Sequence, residues 1–277
     1  MTDQLGRRRF LKGLGVAGAA TAVPISILSN AAETKSPAYT QPTATQPTAR
    51  SQKPLANQKP IALRQQAYTF LSAPEAAFVE AAISRLIPAD DQNPGALEAG
   101  VSYFIDQQLD GAYGTMGKNY RQGPWGEGTP EQGYQLPLTP QQVYRIGINN
   151  VNAYCNGKYG KSFNTLSPAQ QDEVLKGLEK GEIELDDLPG KIFFEMVYAN
   201  TVEGFFADPA YGGNRDKAGW KLVGFPGVAA AYIGFIEQYN QPYNRVPVSL
   251  GDVQQHLAQL DHHGHPIHPL IEDIAKK

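Results

Sequence analysis

The chain of 277 residues has little of three things on which many functions depend: cysteine, excess positive charge and long apolar runs. Its single cysteine, Cys155, excludes an intrachain disulfide, an iron–sulfur cluster held by this chain alone and a covalently attached c-type haem, because each needs at least two cysteines. The 24 Lys and Arg against 27 Asp and Glu give a formal net charge of −3, which argues against nucleic acid as a partner.

Residues suited to catalysis are also scarce. All five histidines lie at or after residue 256, so no Ser/His/Asp arrangement is suggested. Asp90 and Asp91 follow a predicted helix and are interpreted as turn formers rather than as an acid pair across a substrate. The histidines between Asp261 and His268 match no structural zinc spacing. We therefore predict no catalytic residue and no metal site, with a stand-alone hydrolase that uses the carboxylates as an alternative.

The N-terminus has the layout of an export signal. A basic stretch precedes sixteen uncharged residues, 13–28, and a small-residue cleavage site that ends at Ala31. The apolar stretch is shorter than the ~20 residues that cross a bilayer. The dinucleotide-like glycines at 13–18 have no strand before them, so they predict no FAD or NAD site. Residues 1–31 resemble a twin-arginine signal, carried by Arg7, Arg8, Phe10, Leu11 and Lys12.

The rest of the chain divides by composition into a linker, a helical domain and a tail. Residues 32–69 are rich in Pro, Thr and Gln and predict a disordered linker. Residues 70–245 carry capping signals at Ser72, Thr139 and Ser167 and apolar residues at helical spacing, with no alternating strand pattern. The sequence therefore predicts a single all-α domain, followed by a His-containing, exposed C-terminal tail at 246–277. The predicted second helix places Leu97, Val101, Phe104, Ile105 and Leu109 on one face, and the predicted sixth helix places Val228, Tyr232, Phe235 and Tyr239 together.

Two long loops rich in glycine and aromatic residues interrupt the helical pattern. Residues 110–138 hold seven glycines together with Trp125 and Tyr134, a composition that favours an ordered contact surface. In residues 207–227 a tight turn at Gly212–Asn214 precedes Arg215, Asp216 and Lys217. These charges could bind a sugar acid, with Arg215 on its carboxylate. An internal ion-pair network that holds the loop against Trp220 is the favoured interpretation.

Three parts of the chain resemble the gluconate 2-dehydrogenase subunit 3 family: the leader, Leu86–Asp91, and the block from Asp208 to Lys221 with its continuation to Gly227. The resemblance implies the non-catalytic small subunit of a membrane-associated flavoprotein dehydrogenase. Its implied partners are a large FAD subunit, which oxidises D-gluconate to 2-dehydro-D-gluconate, and a multihaem cytochrome c. FAD and haem c are thus expected on the partners and no cofactor on this chain. The implied place is the periplasm, peripheral to the inner membrane through the partners, after export by the twin-arginine translocase.

The two loops supply the expected partner interface, because large aromatic residues among glycines have little helical core to join. The candidate residues are Trp125, Tyr134, Asp208, Tyr211, Asn214, Arg215 and Trp220. Two alternatives stay open on the sequence. One is the small subunit of a related fructose, sorbitol or ketogluconate dehydrogenase, and the other is a free periplasmic sugar-acid binding protein.

Overall fold

A computed structural model describes residues 67–91, 93–126, 128–129, 132–228, 236–241, 243–269 and 271. The leader and the linker up to residue 66 lie outside this part of the chain. The described residues form eight α-helices and three short 3₁₀ turns, and their β pairing is limited to isolated bridges, which confirms the all-α class. The helices are α1 Ala73–Leu86, α2 Val101–Asp110, α3 Ala112–Thr115, α4 Pro140–Tyr159, α5 Pro168–Glu179, α6 Gly190–Phe206, α7 Ala218–Val223 and α8 Leu250–Gln254.

The three long helices with predicted capping signals begin where those signals place them. Each of α1, α4 and α5 has a capping box, in which a hydroxyl residue and the third helical residue satisfy one another's backbone amides. At the start of α1, for example, the Ser72 amide donates to Glu75 Oε2 at 2.8 Å. Local sequence thus specifies these helix starts, and at α1 the fold adds a further contact, since Arg145 on α4 pairs with Glu75.

The core is centred on aromatic rings shared by α1, α4 and α6. Phe78 lies 4.7 Å from Phe163 between ring centroids, and Phe193 meets Tyr144 edge-on at 6.2 Å. Helices α4 and α6 approach closely at Gly147, where an added Cβ would lie 2.1 Å from the Phe193 ring. A larger residue there would force the two helices apart.

The predicted second helix is too long at its N-terminal end. The structure places residues 96–100 in a turn that ends at Gly100, whose φ of 75° is left-handed, and α2 begins only at Val101. Leu97 therefore leaves the apolar face and is 38% exposed. Val101, Phe104, Ile105 and Leu109 are buried as predicted.

The region after residue 206 also differs from the prediction. Helix α7 lies inside the second predicted loop, where its six residues give too short a pattern to recognise. Residues 229–235 of the predicted sixth helix lie outside the described part. The residues that follow, 236–241, form turns, and Tyr239 is 78% exposed. Tyr239 therefore does not join an apolar helix face.

The domain begins at Tyr68, slightly inside the predicted linker. The buried carboxylate of Asp106 on α2 accepts four hydrogen bonds from residues 69–71, at 2.7–3.0 Å. The Tyr68 ring stacks on Tyr103 with 4.8 Å between centroids, and its hydroxyl lies 2.5 Å from Glu80 Oε1. These contacts attach the incoming chain to both α1 and α2.

Residues 246–253 pack against the helical domain, which differs from the exposed tail we expected, whereas most of the described residues after them are exposed. Val248 pairs in parallel with Gly227 and is 6% exposed. Its amide donates to Pro226 O at 3.0 Å, and its carbonyl accepts from the Val228 amide at 2.9 Å. Residues 246–254 thus run along the segment that ends at Gly227.

Candidate functional site

The segment from Asp208 to Gly227, here called the 208–227 segment, is the most elaborately bonded irregular part of the described chain. It opens with Asp208, whose Oδ1 accepts from the Ala210 amide at 2.9 Å and caps the 3₁₀ turn Pro209–Tyr211. Its Oδ2 accepts from the Leu250 amide at 2.8 Å. The nearly buried carboxylate therefore joins this segment to the N-terminus of α8.

Asn214 holds the turn of this segment closed from inside. The side chain is fully buried, donates to Ala207 O at 2.7 Å and accepts from the Gly219 amide at 2.8 Å. Its φ of 48° is left-handed, a conformation that asparagine tolerates better than most residues. One amide thus connects the end of α6 to the start of α7.

The residues after Asn214 are held in a conformation that ordinary side chains avoid. Asp216 and Lys217 also have positive φ, at 56° and 58°. Clustered left-handed residues persist only where surrounding contacts impose them, and such strain is concentrated at functional sites. Here the Arg215 amide donates to Ala99 O at 2.9 Å, and Lys217 Nζ pairs with Asp252 Oδ2 at 2.7 Å.

These contacts differ from the ion-pair network within the loop that the sequence favoured for these charges. Lys217 pairs with Asp252 of the C-terminal segment, and Asp208 accepts from backbone amides. Burial raises the pKa of the Asp252 carboxyl, but hydrogen bonds from Lys217 and Ser249 outweigh burial, so the net shift of this pKa is downward. Arg215 reaches the carbonyl of Glu98 with Nη1 at 3.4 Å, and Tyr211 beside the turn is 51% exposed.

Trp220 is a core residue of this chain. It is 4% exposed, its indole N–H donates to Phe206 O at 2.7 Å, and Phe225 packs against it edge-on at 5.2 Å. The expectation that a tryptophan in this loop lacks a core to join is therefore wrong for Trp220. Helix α7, which the sequence did not reveal, supplies the missing support.

The second candidate surface is the aromatic loop, residues 116–138 without 127, 130 and 131, which lie outside the described part. Trp125 is 44% exposed, and the Arg121 guanidinium lies 5.6 Å from the centre of its ring. Arg121 also donates to the carbonyl of Pro137, and the Tyr134 hydroxyl donates to Leu138 O at 2.7 Å. The loop therefore presents Trp125 on a backbone that its own side chains hold in place.

Comparison with known families identifies the domain that carries both surfaces. The profile described as gluconate 2-dehydrogenase subunit 3 matches residues 73–227, from the start of α1 to the end of the 208–227 segment. The chain belongs to this family. A twin-arginine translocation signal profile matches residues 4–24, which include Arg7, Arg8, Phe10, Leu11 and Lys12. No curated protein and no solved structure matches the chain.

One statement about this subunit follows directly from the matches. It is an exported subunit of a gluconate 2-dehydrogenase-type complex, delivered to the periplasm by the twin-arginine pathway. Among the helices of the described residues, none has both the length and the apolar character needed to cross a membrane.

The aromatic loop of the subunit rests on a polar cluster that the sequence analysis missed. Asn200 on α6 is buried, accepts from the Tyr113 hydroxyl at 3.1 Å and donates to the Tyr144 hydroxyl at 3.1 Å. Burial raises the pKa of Tyr144 and that of Tyr113, so both phenols stay protonated, and Tyr113 donates to Asn200 while the Tyr144 oxygen accepts from it. The sequence around Asn200 gives little indication of this role, because only the fold brings α6 next to Tyr113 of α3 and Tyr144 of α4.

In the acidic and histidine clusters, the carboxylates of Asp90 and Asp261 accept hydrogen bonds from nearby backbone amides. Asp90 Oδ1 accepts from the Asn93 amide at 2.8 Å, which agrees with its interpretation as a turn former. Asp261 Oδ1 accepts from the amides of His263 and His265 at 2.8 and 2.9 Å, in a tight turn. In the part of the chain that the structure describes, no group of three or more such side chains is arranged to hold a metal ion.

Cys155 lies on the buried face of α4, as its position in the helix predicts. Burial raises the pKa of its thiol to about 11, so the thiolate is scarce at neutral pH. The thiol therefore acts as a small apolar side chain in the core.

Proposed function

We propose that this chain is the non-catalytic small subunit of a periplasmic FAD-dependent gluconate 2-dehydrogenase-type complex. In this proposal it carries the flavoprotein subunit through the twin-arginine pathway and stabilises it afterwards. The observation that supports it most is the presence of a twin-arginine signal and a subunit 3 domain in one chain. A folded partner that lacks its own signal can cross the membrane only while bound to a chain that has one.

The proposed partner surface consists of the exposed aromatic and basic side chains of the two loops. Trp125 and Tyr211 are about half exposed, and Tyr, Trp and Arg are the residue types that most often anchor protein interfaces. Tyr134 and Arg215 lie partly buried at the edges of these loops. Asp208, Asn214 and Trp220 act from inside, because their buried side chains fix the backbone that presents Tyr211 and Arg215.

The remaining parts of the proposal concern the other subunits. FAD belongs to the large subunit, which oxidises D-gluconate to 2-dehydro-D-gluconate, and haem c belongs to a multihaem cytochrome that takes the electrons. The complex lies on the periplasmic face of the inner membrane through these partners. The same assembly with fructose, sorbitol or a ketogluconate as substrate is the second candidate, since the family match concerns the small subunit alone.

Export of the flavoprotein tests the carrier role. Replacing Arg7→Lys and Arg8→Lys together keeps the charge but removes the pair that the translocase recognises. We expect both subunits to stay in the cytoplasm, as measured by fractionation and flavin absorbance. The matched control is Arg9→Lys, which changes one arginine next to the pair and should leave export intact. Flavoprotein that reaches the periplasm with the double variant would show that another chain carries it.

The non-catalytic role has a separate test on the purified subunit. We expect the isolated mature chain to show neither flavin absorbance nor oxidation of gluconate with an artificial electron acceptor. Co-purification from the native host should instead yield a yellow flavoprotein and a red cytochrome together with this chain. Oxidation of gluconate by the lone chain would overturn the proposal.

A further inference from the structure

The C-terminal residues 246–254, here called the strap, are tied to the 208–227 segment at both ends. At one end the backbone of Val248 exchanges hydrogen bonds with Pro226 and Val228, at 3.0 and 2.9 Å. At the other end Asp208 accepts from the Leu250 amide, and Lys217 pairs with Asp252. Asp252 also accepts from the Ser249 amide at 2.8 Å, which fixes the first turn of α8.

The strap is held mainly by polar contacts. Helix α8 has no buried residue, and in the strap only residues 247–249 are buried. Segments with few buried apolar contacts open at a small fraction of the global unfolding free energy, because water replaces the hydrogen bonds that are lost. The strap is therefore among the parts of the described domain that can detach while the aromatic core stays folded.

Glycine at position 227 makes the close contact of strap and segment possible. Gly227 has a φ of 91°, and an added Cβ would lie 2.0 Å from Val248 O. Detachment of the strap would uncover Gly227, Pro226 and the carboxylate of Asp208. It would also free Lys217, whose neighbours Arg215 and Tyr211 already reach the surface.

The 208–227 segment and the strap differ in whether the family profile matches them. The family match includes the whole 208–227 segment and ends at Gly227, whereas the strap lies outside it. We propose that the strap is an intramolecular cover over the partner-binding face of the 208–227 segment and that the flavoprotein displaces it on assembly. This inference rests on the proposed function, because the displacing partner is the flavoprotein of that complex.

Opening of the strap is measured first on the isolated mature chain, by amide hydrogen exchange. Asp208→Ala removes the acceptor of the Leu250 amide and Lys217→Met removes the ion pair with Asp252, and we expect exchange of the Val248 and Leu250 amides to become at least tenfold faster. Exchange in α1, α4 and α6 should not change. Lys191→Met is the matched control, because it removes a lysine from an exposed pair with Glu195 on α6. Acceleration throughout the domain, or none in the strap, would overturn the inference.

Binding of the purified flavoprotein is the second measurement. A chain that ends at Arg245 lacks the strap, and we expect it to bind at least tenfold more tightly than the full mature chain. Its melting temperature is measured alongside, so that a misfolded chain is recognised, and Lys217→Met then serves as the open variant. Equal or weaker binding by chains shown to be folded and open would overturn the cover but leave the proposed function standing. Failure of every chain, including the unaltered one, to bind would instead overturn the proposed function and with it the displacement.

Discussion

The two glycine-rich loops of this subunit look alike in sequence and differ in structure. Each holds a tryptophan among glycines and tyrosines, yet Trp220 is 4% exposed and Trp125 is 44% exposed. The indole of Trp220 donates to a backbone carbonyl at the end of α6, inside the fold. Trp125 instead lies beside the guanidinium of Arg121 at the surface. The comparison teaches that similar composition can produce either a part of the core or a surface that is available to a partner.

The two loops differ because the 208–227 segment contains an α-helix and the described residues of the aromatic loop do not. The 208–227 segment contains α7, which packs back on α6, so its tryptophan has helical backbone on one side and Phe225 on the other. The aromatic loop connects the short helix α3 to α4 with no helix of its own among its described residues. Tyr134 is therefore held by a hydrogen bond to Leu138 O and Trp125 by the Arg121 guanidinium, and Trp125 stays near the surface.

Truncating the two tryptophans gives the largest expected contrast. Trp220→Ala removes a buried ring and a hydrogen bond, a change that costs about 3–5 kcal/mol of the free energy of unfolding. At about 2–4 °C per kcal/mol for a domain of this size, the melting temperature should fall by roughly 6–20 °C. Trp125→Ala should lower it by no more than about 2 °C. The melting temperatures of the two variants are measured by calorimetry or circular dichroism. Similar decreases would contradict the placement of Trp220 in the core and of Trp125 at the surface.

Asn214 offers a sharper test of the 208–227 segment. Asn214→Ala leaves the Ala207 carbonyl and the Gly219 amide without their partner, at about 1–3 kcal/mol, and adds strain at positive φ. Asn214→Gly loses the same hydrogen bonds but tolerates the backbone, so it should retain about 1 kcal/mol more stability than the alanine variant. Equilibrium unfolding in urea compares the two. If glycine and alanine prove equally destabilising, the left-handed backbone contributes nothing.

Binding of the flavoprotein, in contrast to stability, should depend more on Trp125 than on Trp220. Loss of an aromatic anchor at an interface costs ~2 kcal/mol or more, so Trp125→Ala should weaken binding of the flavoprotein about thirtyfold. Tyr239→Ala, which removes an exposed ring outside both loops, is the control and should bind normally. Binding is measured by titration of the purified flavoprotein. Unchanged affinity of a well-folded Trp125→Ala variant would remove the aromatic loop from the interface.

The smallest expected effect is the pH dependence of the pair between Lys217 and Asp252. Because the pKa of Asp252 is lowered in the folded chain, the pair stabilises it above the ordinary carboxyl pKa, and this contribution is lost as the pH falls through the lowered value. Both side chains are partly exposed, so the contribution is about 1 kcal/mol or less. The melting temperatures of the unaltered chain and of Asp252→Asn should therefore differ at pH 7 and converge as the pH falls through the lowered pKa of Asp252. A constant difference would mean that the charge of Asp252 does not matter.

The sequence predicted those parts of the fold that depend on neighbouring residues. Capping signals located the starts of α1, α4 and α5, and helical spacing identified Val101, Phe104, Ile105 and Leu109 as the buried face of α2. The sequence did not predict that α2 begins only after Gly100, nor that residues 218–223 form α7. Neither feature produces a periodic pattern long enough to recognise.

The candidate site was harder to predict, because its central contacts join residues far apart in the chain. Asp208 and Leu250 are 42 positions apart, and Lys217 and Asp252 are 35 positions apart. Composition singled out the 208–227 segment and several of its charged residues. It could not show that the partners of these charges lie in the C-terminal region, which we expected to be an exposed tail.

The attachment of residues 69–71 to Asp106 also determines how the domain bears mechanical force. Tension applied at residue 67, the first described residue, reaches Tyr68 and residues 69–71 before it reaches α1. Three backbone amides and a hydroxyl converge there on one carboxylate of α2, so the four bonds share the load. Without this anchor, tension would reach the N-terminus of α1 directly and could unwind it turn by turn. Load from the N-terminal side of the described residues is thus passed to α2 before it reaches the N-terminus of α1.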